Sequence, residues 1–508
     1  MVIFPDYSDL AKVSPQMRAA WEGEIAIREK YRSYFEGLVF KQKVPVDSGA
    51  EEEAPELFPV GINIAKMLCT AQAHSLWGEW EEEIVKFEPR QDSEVASSEK
   101  DAAVLASNIL ATSQANTLLW EVGLDREIYG GGAVKINLGA GPGFIKWSRV
   151  PLESFFPIWN PDDPDDLVEV YIIVDMTREQ AKARYGIDSD KDVVRRIEHW
   201  TKFKFENILD GHVISQYSGF NPWGMIPFEY IPRIRSTNWW GDSQIEDVMR
   251  PMDELNMRVA DLGEAINYNA NPIRWGYNLP KAFNSRNFPI GAGVFWDFGR
   301  VLGQGVEPTV GMLESKNPVP QGSFDYVKFL YDWSRTASNA PPIAFGEDNG
   351  GGQRSGITLE IRMWPLIKAT RTSRAYMSDG LIRLMRKSAI MLKQKNLSDV
   401  PKRAVQHLLN GDLTPRYAPI MIRDQAAIVD EVQKGLATNP PTISLETAVK
   451  KLGYGTAEVE RIKAMLKDDD LYARKEKMEQ AKLDAKTNEQ KTKEMNSGAG
   501  AAPKKEAE

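Results

Sequence analysis

The clearest pattern in the chain lies between residues 243 and 269. Ile245, Val248, Met252, Leu255, Val259, Leu262 and Ile266 recur at alternating spacings of three and four, the seam by which one helix packs lengthwise against another. Ser243 with Glu246 three residues on predicts a capping box at its start, and Pro251 predicts a bend in its first turns. Asp247, Glu254 and Asp261 repeat every seven residues on another face and make an acidic stripe away from the seam. The plain account of such a stripe is a solvated helix face.

Upstream, residues 1–40 are helical in pattern, with Trp21, Ile25, Tyr31, Tyr34, Phe35 and Leu38 as apolar positions, and the acidic stretch VPVDSGAEEEAPELFP reads as a linker. Helical periodicity covers about 62–77 and 98–128, the second opening on Ser98 with Asp101 as a capping box and stopping at the triple glycine 130–132. The period then changes. AVKINL and FIKWSRV alternate around GAGPG and predict a hairpin, LVEVYIIVDM a third strand and TREQAKARYG a short helix. VRRIEHWTKFKFE and HVISQYSG predict a further pair joined across Asp210-Gly211. Helices followed by a mostly antiparallel sheet predict an α+β unit ending near residue 240.

Downstream of the seam, residues 271–322 are dense in Gly, Pro and aromatics, with strand-like pieces such as GVFWDFGRV, and predict a compact β-containing insert. SFDYVKFLYDWSRTAS resumes a helix with a wide aromatic face. Pro341-Pro342 leads into GEDNGGGQRSG, five glycines in eleven residues, a flexible loop. Ser355 is placed to cap the next helix, which runs to about Asn396 with a kink expected at Pro365. Short helices follow in RDQAAIVDEVQKGL, SLETAVKKLG and TAEVERIKAMLK. The charged end from about 471 is expected to finish in disorder.

Composition narrows the function classes. A chain of 508 residues exceeds the roughly 250–300 at which one core stops growing, so at least two packed units are expected. Hydrophobic residues are 42% and charged ones 27%, ordinary for a globular protein. No apolar run approaches the roughly 18 residues of a spanning helix. Asp6 and Asp9 fall where a signal peptide needs basic then apolar residues, so an intracellular protein is expected. The single Cys69 excludes an intrachain disulfide and a multi-thiolate metal site, and His74, His199, His212 and His407 stand alone in sequence. Net charge is −9, the opposite of a surface built to grip DNA phosphates. The exception is residues 361–396, with nine Lys or Arg against one acid, Asp379; its plain account is a solvated or salt-bridged surface.

Catalytic motifs fail on inspection. GAGPG at 139–143 has Phe144 where a dinucleotide fingerprint needs glycine, and a strand follows it instead of a helix. The 346–356 loop has no Lys followed by Ser or Thr and no strand feeding it, so it is not a P-loop. There is no GxSxG and no HExxH. DDPDD at 162–166 reads as a solvated turn, with a weak divalent-cation site as the alternative. His74 reads as a packed or surface histidine rather than a ligand. No cofactor and no metal are expected.

Three segments, in this order, carry a family resemblance: WWGDSQIEDVMRPMDELNMRVADLGEAINYNANP, PPIAFGEDNGGGQRSGITLEIRMWPL and GLATNPPTISLETAVKKLGY. The chain resembles the portal proteins of tailed bacteriophages, the head-tail connectors, over roughly residues 60–470. The resemblance implies a mostly α, α+β portal fold and a homo-oligomeric ring, usually a dodecamer, around a channel for double-stranded DNA. It implies a wing over 1–242, a first stem helix over 243–269, a clip over 270–322 and a second stem helix over 323–340. A tunnel loop over 341–356, a kinked wing-to-crown helix over 357–396, crown helices over 397–470 and a charged tail over 471–508 would follow.

Residue by residue, the resemblance assigns Asp247, Glu254 and Asp261 to the channel side of the stem. Gly346, Glu347, Asp348, Asn349, Gly350, Gly351, Gly352, Gln353 and Arg354 fall in the tunnel loop, where Arg354 could touch phosphates transiently. Trp275, Tyr277, Phe295 and Trp296 fall in the clip, which meets the packaging motor and head-tail adaptor. Arg362, Lys368, Arg371, Arg374, Arg383 and Arg386 make the basic helix, which would face neighbouring subunits or packaged DNA. Implied partners are copies of the chain, the terminase large subunit, the adaptor, the major capsid and scaffolding proteins, and DNA that passes without tight binding. The implied location is the capsid portal vertex of the virion, with host cytoplasm during assembly and no membrane. A non-enzymatic DNA conduit is the leading reading. The others are a DNA-processing enzyme of the packaging apparatus and a minor capsid protein without a channel.

Overall fold

The structure is a computed structural model that describes residues 15–38, 61–80, 82–90, 97–236, 238–270, 273–277, 309–313, 320–347, 356–397, 399–420, 425–438 and scattered positions from 442 to 467. The chain divides after Ile420 into two compact units. Their elements mix helices with antiparallel strands, in keeping with the α+β expectation.

The first unit opens with α1 (Pro15–Glu36), α2 (Ile64–Trp77), β1 (Val85–Pro89), α3 (Ser97–Thr112) and α4 (Ala115–Tyr129). Sequence periodicity predicts one helix over 98–128, but the structure breaks it. Gln114 takes a left-handed φ of 52°, and the Ser113 hydroxyl donates to the Ile109 carbonyl at 2.7 Å while accepting the Trp147 N–H at 2.9 Å. That strand contact holds the break, because the serine hydroxyl serves both the helix end and a neighbouring strand. Ser98 forms no capping box in this setting; its hydroxyl lies 3.0 Å from His407 Nε2, whose other ring nitrogen is 2.8 Å from Asp412.

The strands make separate sheets rather than one. β2 (Gly131–Leu138) and β3 (Ile145–Val150) form the expected hairpin, with Leu138 opposite Ile145, and β2 also pairs with β10 (Phe228–Pro232). β4 (Phe155–Asn160), β5 (Asp163–Thr177), β6 (Val193–Thr201), β7 (Lys204–Leu209) and β8 (His212–Val213) form a second antiparallel sheet, with β9 (Gly219–Phe220) beside β7. Helix α5 (Arg178–Tyr185) starts at a capping box between Thr177 and Gln180, which fixes its first free N–H groups. Asp210 and Gly211 both have positive φ, 47° and 81°, the conformation of a tight two-residue hairpin turn.

DDPDD is not a free turn. Asp163–Asp166 begin β5, the Asp165 carboxylate accepts from Arg235 at 2.6 Å and Arg383 at 3.1 Å, and Lys202 Nζ is 3.1 Å from Asp166. No group of three or more His, Cys, Asp or Glu is placed to hold a metal ion among the described residues.

The remaining elements of the first unit are α6 (Glu246–Ala270), β11 (Ile273–Tyr277), β12 (Thr309–Leu313), α7 (Gln321–Ala337), α8 (Gly356–Lys395), α9 (Lys402–Asn410) and β13 (Leu413–Tyr417). One core joins α2, α3, α4, β2, β3, α8 and α9. A second joins α1, α2, β4, β5, β10, α6 and α7. Helix α9 buries Ala404 and Leu408 in the first core and β13 pairs with β1, so both belong to the first unit. The second unit is described chiefly through α10 (Gln425–Ala437), where Gly435 closes against Ile443. The tail from 471 lies outside the described residues.

Arg126 ties the first core together. It is fully buried, and its guanidinium donates to the carbonyls of Pro232, Arg233 and Ser373, linking α4, the end of β10 and α8. Burial lowers its pKa to about 10, still high enough to keep it charged at neutral pH. Cys69 is also fully buried, and burial pushes its thiol well above the usual range. Since the thiolate is the reactive form, a colorimetric thiol reagent is expected to leave the native chain unmodified and to titrate one thiol per chain after unfolding. Rapid native labelling would show that α2 opens.

Candidate functional site

Helices α6 and α7 form an antiparallel pair joined by the β11–β12 ribbon. Tyr326 reaches Glu254 at 3.5 Å near one end of the contact, and Gln244 Nε2 donates to the Ser338 carbonyl at 3.2 Å near the other. Ile245, Val248, Met252 and Leu255 are fully buried, as the heptad pattern requires, against Leu330 and Ala340. Farther along, Val259 is partly buried and Ile266 is 47% exposed.

The start of α6 is built differently from the expected capping box. The Ser243 hydroxyl donates to the Ile128 carbonyl at 2.5 Å and accepts from the Ile245 N–H at 3.0 Å, and the helix begins at Glu246. The Gln244 N–H donates to the Glu127 carbonyl at 3.0 Å, so the last turn of α4 positions the first turn of α6. Pro251 lies within α6 and removes the helical bond to the Asp247 carbonyl.

Asp247 and Asp261 are exposed on α6 and Glu254 is partly exposed. A seven-residue step sets successive levels of the stripe about 10 Å apart along the axis. Arg258 subdivides it, donating to Glu254 at 2.8 Å and to Asp261 at 3.1 Å. The outward side also carries Asp253, Glu264 and Arg250, so its balance stays negative.

At the far end of α7, Gly346 adopts φ +77°, and the Glu347 carboxylate lies 2.8 Å from the nearly buried Arg335. Asp348, Asn349, Gly350, Gly351, Gly352, Gln353 and Arg354 lie outside the described residues, as does Ser355. On β11, Trp275 and Tyr277 are 44% and 63% exposed; Phe295 and Trp296 lie outside the described residues.

Helix α8 continues through Pro365. Its basic residues divide into two groups. Arg374 donates to the Leu76 carbonyl at 2.7 Å and the Ala418 carbonyl at 2.9 Å, closing the end of α2, and burial lowers its pKa to about 10. Arg383 donates to Glu229 and Asp165, Arg386 donates to the Asn410 carbonyl at 3.2 Å, and Lys387 lies 2.8 Å from Glu229. These side chains are engaged within the chain. Arg362, Lys368 and Arg371 are exposed near its start. Sequence reasoning missed Glu229, the buried carboxylate that both Arg383 and Lys387 reach, and no local motif marks it.

The distinctive chemistry of this chain is thus spread along helix faces and one β-ribbon, the construction of a structural assembly protein. Residues 90–471 match the phage portal protein family of the SPP1 Gp6-like type, and the chain belongs to that family. Its members are structural components of the phage capsid vertex. No curated protein gives a significant match. No helix among the described residues is long and apolar enough to cross a membrane.

Proposed function

We propose that this portal protein forms a ring at the capsid vertex and serves as a non-enzymatic conduit for double-stranded DNA during packaging and ejection. On this reading α6 and α7 are the stem, the β11–β12 ribbon belongs to the clip that docks the terminase and then the head-tail adaptor, residues 341–356 are the tunnel loop, and residues before 243 are the wing. The observation that carries it is the outward acidic side of α6, opposite a buried apolar seam, in a member of the portal family. Repeated around a ring, Asp247, Glu254 and Asp261 would repel phosphates only at close approach, since physiological salt screens charge over about 8 Å. DNA would then slide without being held.

The test is a triple variant, Asp247→Lys, Glu254→Lys and Asp261→Lys, with a neutral Asn, Gln, Asn version beside it. The buried seam is untouched, so rings are expected in negative-stain images. Packaging in vitro is expected to slow severalfold in the Lys variant and less in the neutral one, as attraction replaces repulsion. Unchanged packaging in both would remove the stripe from the channel, and a wild-type chain that stays monomeric at high concentration would remove the ring. ATP hydrolysis or nuclease activity by the isolated chain would favour a processing enzyme instead.

A further inference from the structure

A closed ring of more than two identical chains is held by a heterologous contact, in which one patch meets a different patch on the next copy. The chain must then carry two unlike and complementary surfaces. Two helix faces of the first unit have that character.

The first is on α7. Tyr326, Phe329 and Trp333 are spaced three and four apart and share one side of the helix, with exposures of 43%, 58% and 49%. Asp325 is exposed beside them, and the Asp332 carboxylate, which holds Arg335, is still 48% exposed. This face is aromatic and acidic. The second is the start of α8. Ile361, Trp364, Lys368 and Arg371 follow the same spacing, with Ile361 68% and Trp364 43% exposed. Lys368 Nζ lies 5.4 Å and the Arg371 guanidinium carbon 5.7 Å from the Trp364 ring centre. Neither cation meets a carboxylate among the described residues. This face is aromatic and basic.

Contiguous exposed aromatics of this extent mark interaction surfaces. We propose that the α7 face of one copy docks on the α8 face of the next, with Lys368 and Arg371 set against the rings of Phe329 and Trp333 and facing Asp325. The proposal rests on the ring reading for its symmetry, but the pairing itself follows from the two faces. Aromatic rings attract cations through their negative faces, and the acids beside them add the same sign. Duplex DNA fits less well, because the acidic residues on α7 would repel its phosphates and leave the aromatic stripe uncovered.

The experiment uses two full-length chains, Phe329→Cys and Lys368→Cys, co-expressed, assembled and oxidised. Cys69 is buried and stays silent. A covalent species of twice the chain mass is expected on a non-reducing gel, and one chain carrying both substitutions should give a ladder. Phe220→Cys paired with Lys368→Cys is the control and should not link. Rings in negative stain without linkage above the control would overturn the contact while leaving the portal reading intact. Absence of rings from the wild-type chain would instead remove the ring reading and, with it, the symmetry this contact needs.

A charge exchange gives the second arm. Lys368→Glu with Arg371→Glu is expected to raise the concentration needed for assembly by about tenfold or more, since like charges then face each other. Adding Asp325→Lys should recover much of that loss. Assembly unchanged by the reversal, with weaker binding to a short DNA duplex, would overturn the proposal in favour of a DNA contact.

Discussion

Glu229→Ala is expected to destabilise the first unit by about 3–5 kcal/mol, the range for removing one partner from a buried ion pair. Glu229 is 1% exposed in the middle of β10. Arg383 donates to one carboxylate oxygen at 2.5 Å, and Lys387 Nζ stands 2.8 Å from the other. Burial by itself would lower the Arg383 pKa, but Glu229, helped by Asp165, holds it above its ordinary value. Without Glu229, two largely buried cations would be left with the more exposed Asp165 and the field of Asp379. Urea denaturation should show the loss as a lower midpoint at an unchanged slope. Changing Glu229 to Met together with Lys387 to Met should cost less than Glu229→Ala, because it removes a charge from each side. Asp165→Ala, at a partly exposed end of the network, is expected to cost about 1 kcal/mol or less. Equal losses in all three would mean that packing, not charge, holds the site.

This network shows where sequence stops being legible. Charge counting finds the basic content of α8, but the partners that determine its role lie 154 and 218 residues away, in β10 and at the start of β5. Nothing local to α8 distinguishes Arg383, which is tied inward, from Arg371, which is not. The same holds for the break between α3 and α4. The apolar period runs through it because both helices face one core, and the interruption comes from a hydrogen bond to β3.

Local chemistry was legible in the turns and less so in the helix caps, since the serines expected to cap at 98 and 243 are drawn to His407 and to the Ile128 carbonyl. The β2–β3 hairpin and the Asp210-Gly211 turn follow from short-range steric and hydrogen-bonding rules. The α6 seam was half legible. Spacing reports that a helix has an apolar side, not how long its partner is, and α7 has 17 residues against 25 in α6. The seam beyond Val259 therefore runs past its cover within one chain.

Gly130→Ala is expected to be among the most damaging single-methyl changes in the chain. Gly130 ends α4 with φ +86°, and a Cβ there would sit 2.2 Å from the Gly241 carbonyl oxygen. The contact is reciprocal, since Gly241 has φ +88° and its Cβ would meet the Gly130 oxygen at 2.3 Å. Neither obstacle is a side-chain end that can swing away. The Gly130 carbonyl also accepts the Arg233 N–H at 2.7 Å. Left-handed strain of about 1–2 kcal/mol adds to an overpacking cost of about 1–3 kcal/mol, so a loss near 3 kcal/mol is expected. Gly186→Ala supplies the comparison: its φ is +71° but nothing lies within 4 Å of a new Cβ, leaving the strain alone. The difference in denaturation midpoint between the two variants measures the collision between the α4 terminus and the segment leading into α6. Because that segment carries Ser243 and Gln244, which fix the first turn of α6, Gly130→Ala should also lower the yield of assembled rings, whereas Gly186→Ala should not. Equal stability and equal ring yield for the two would mean that the glycine pair does not set the position of α6.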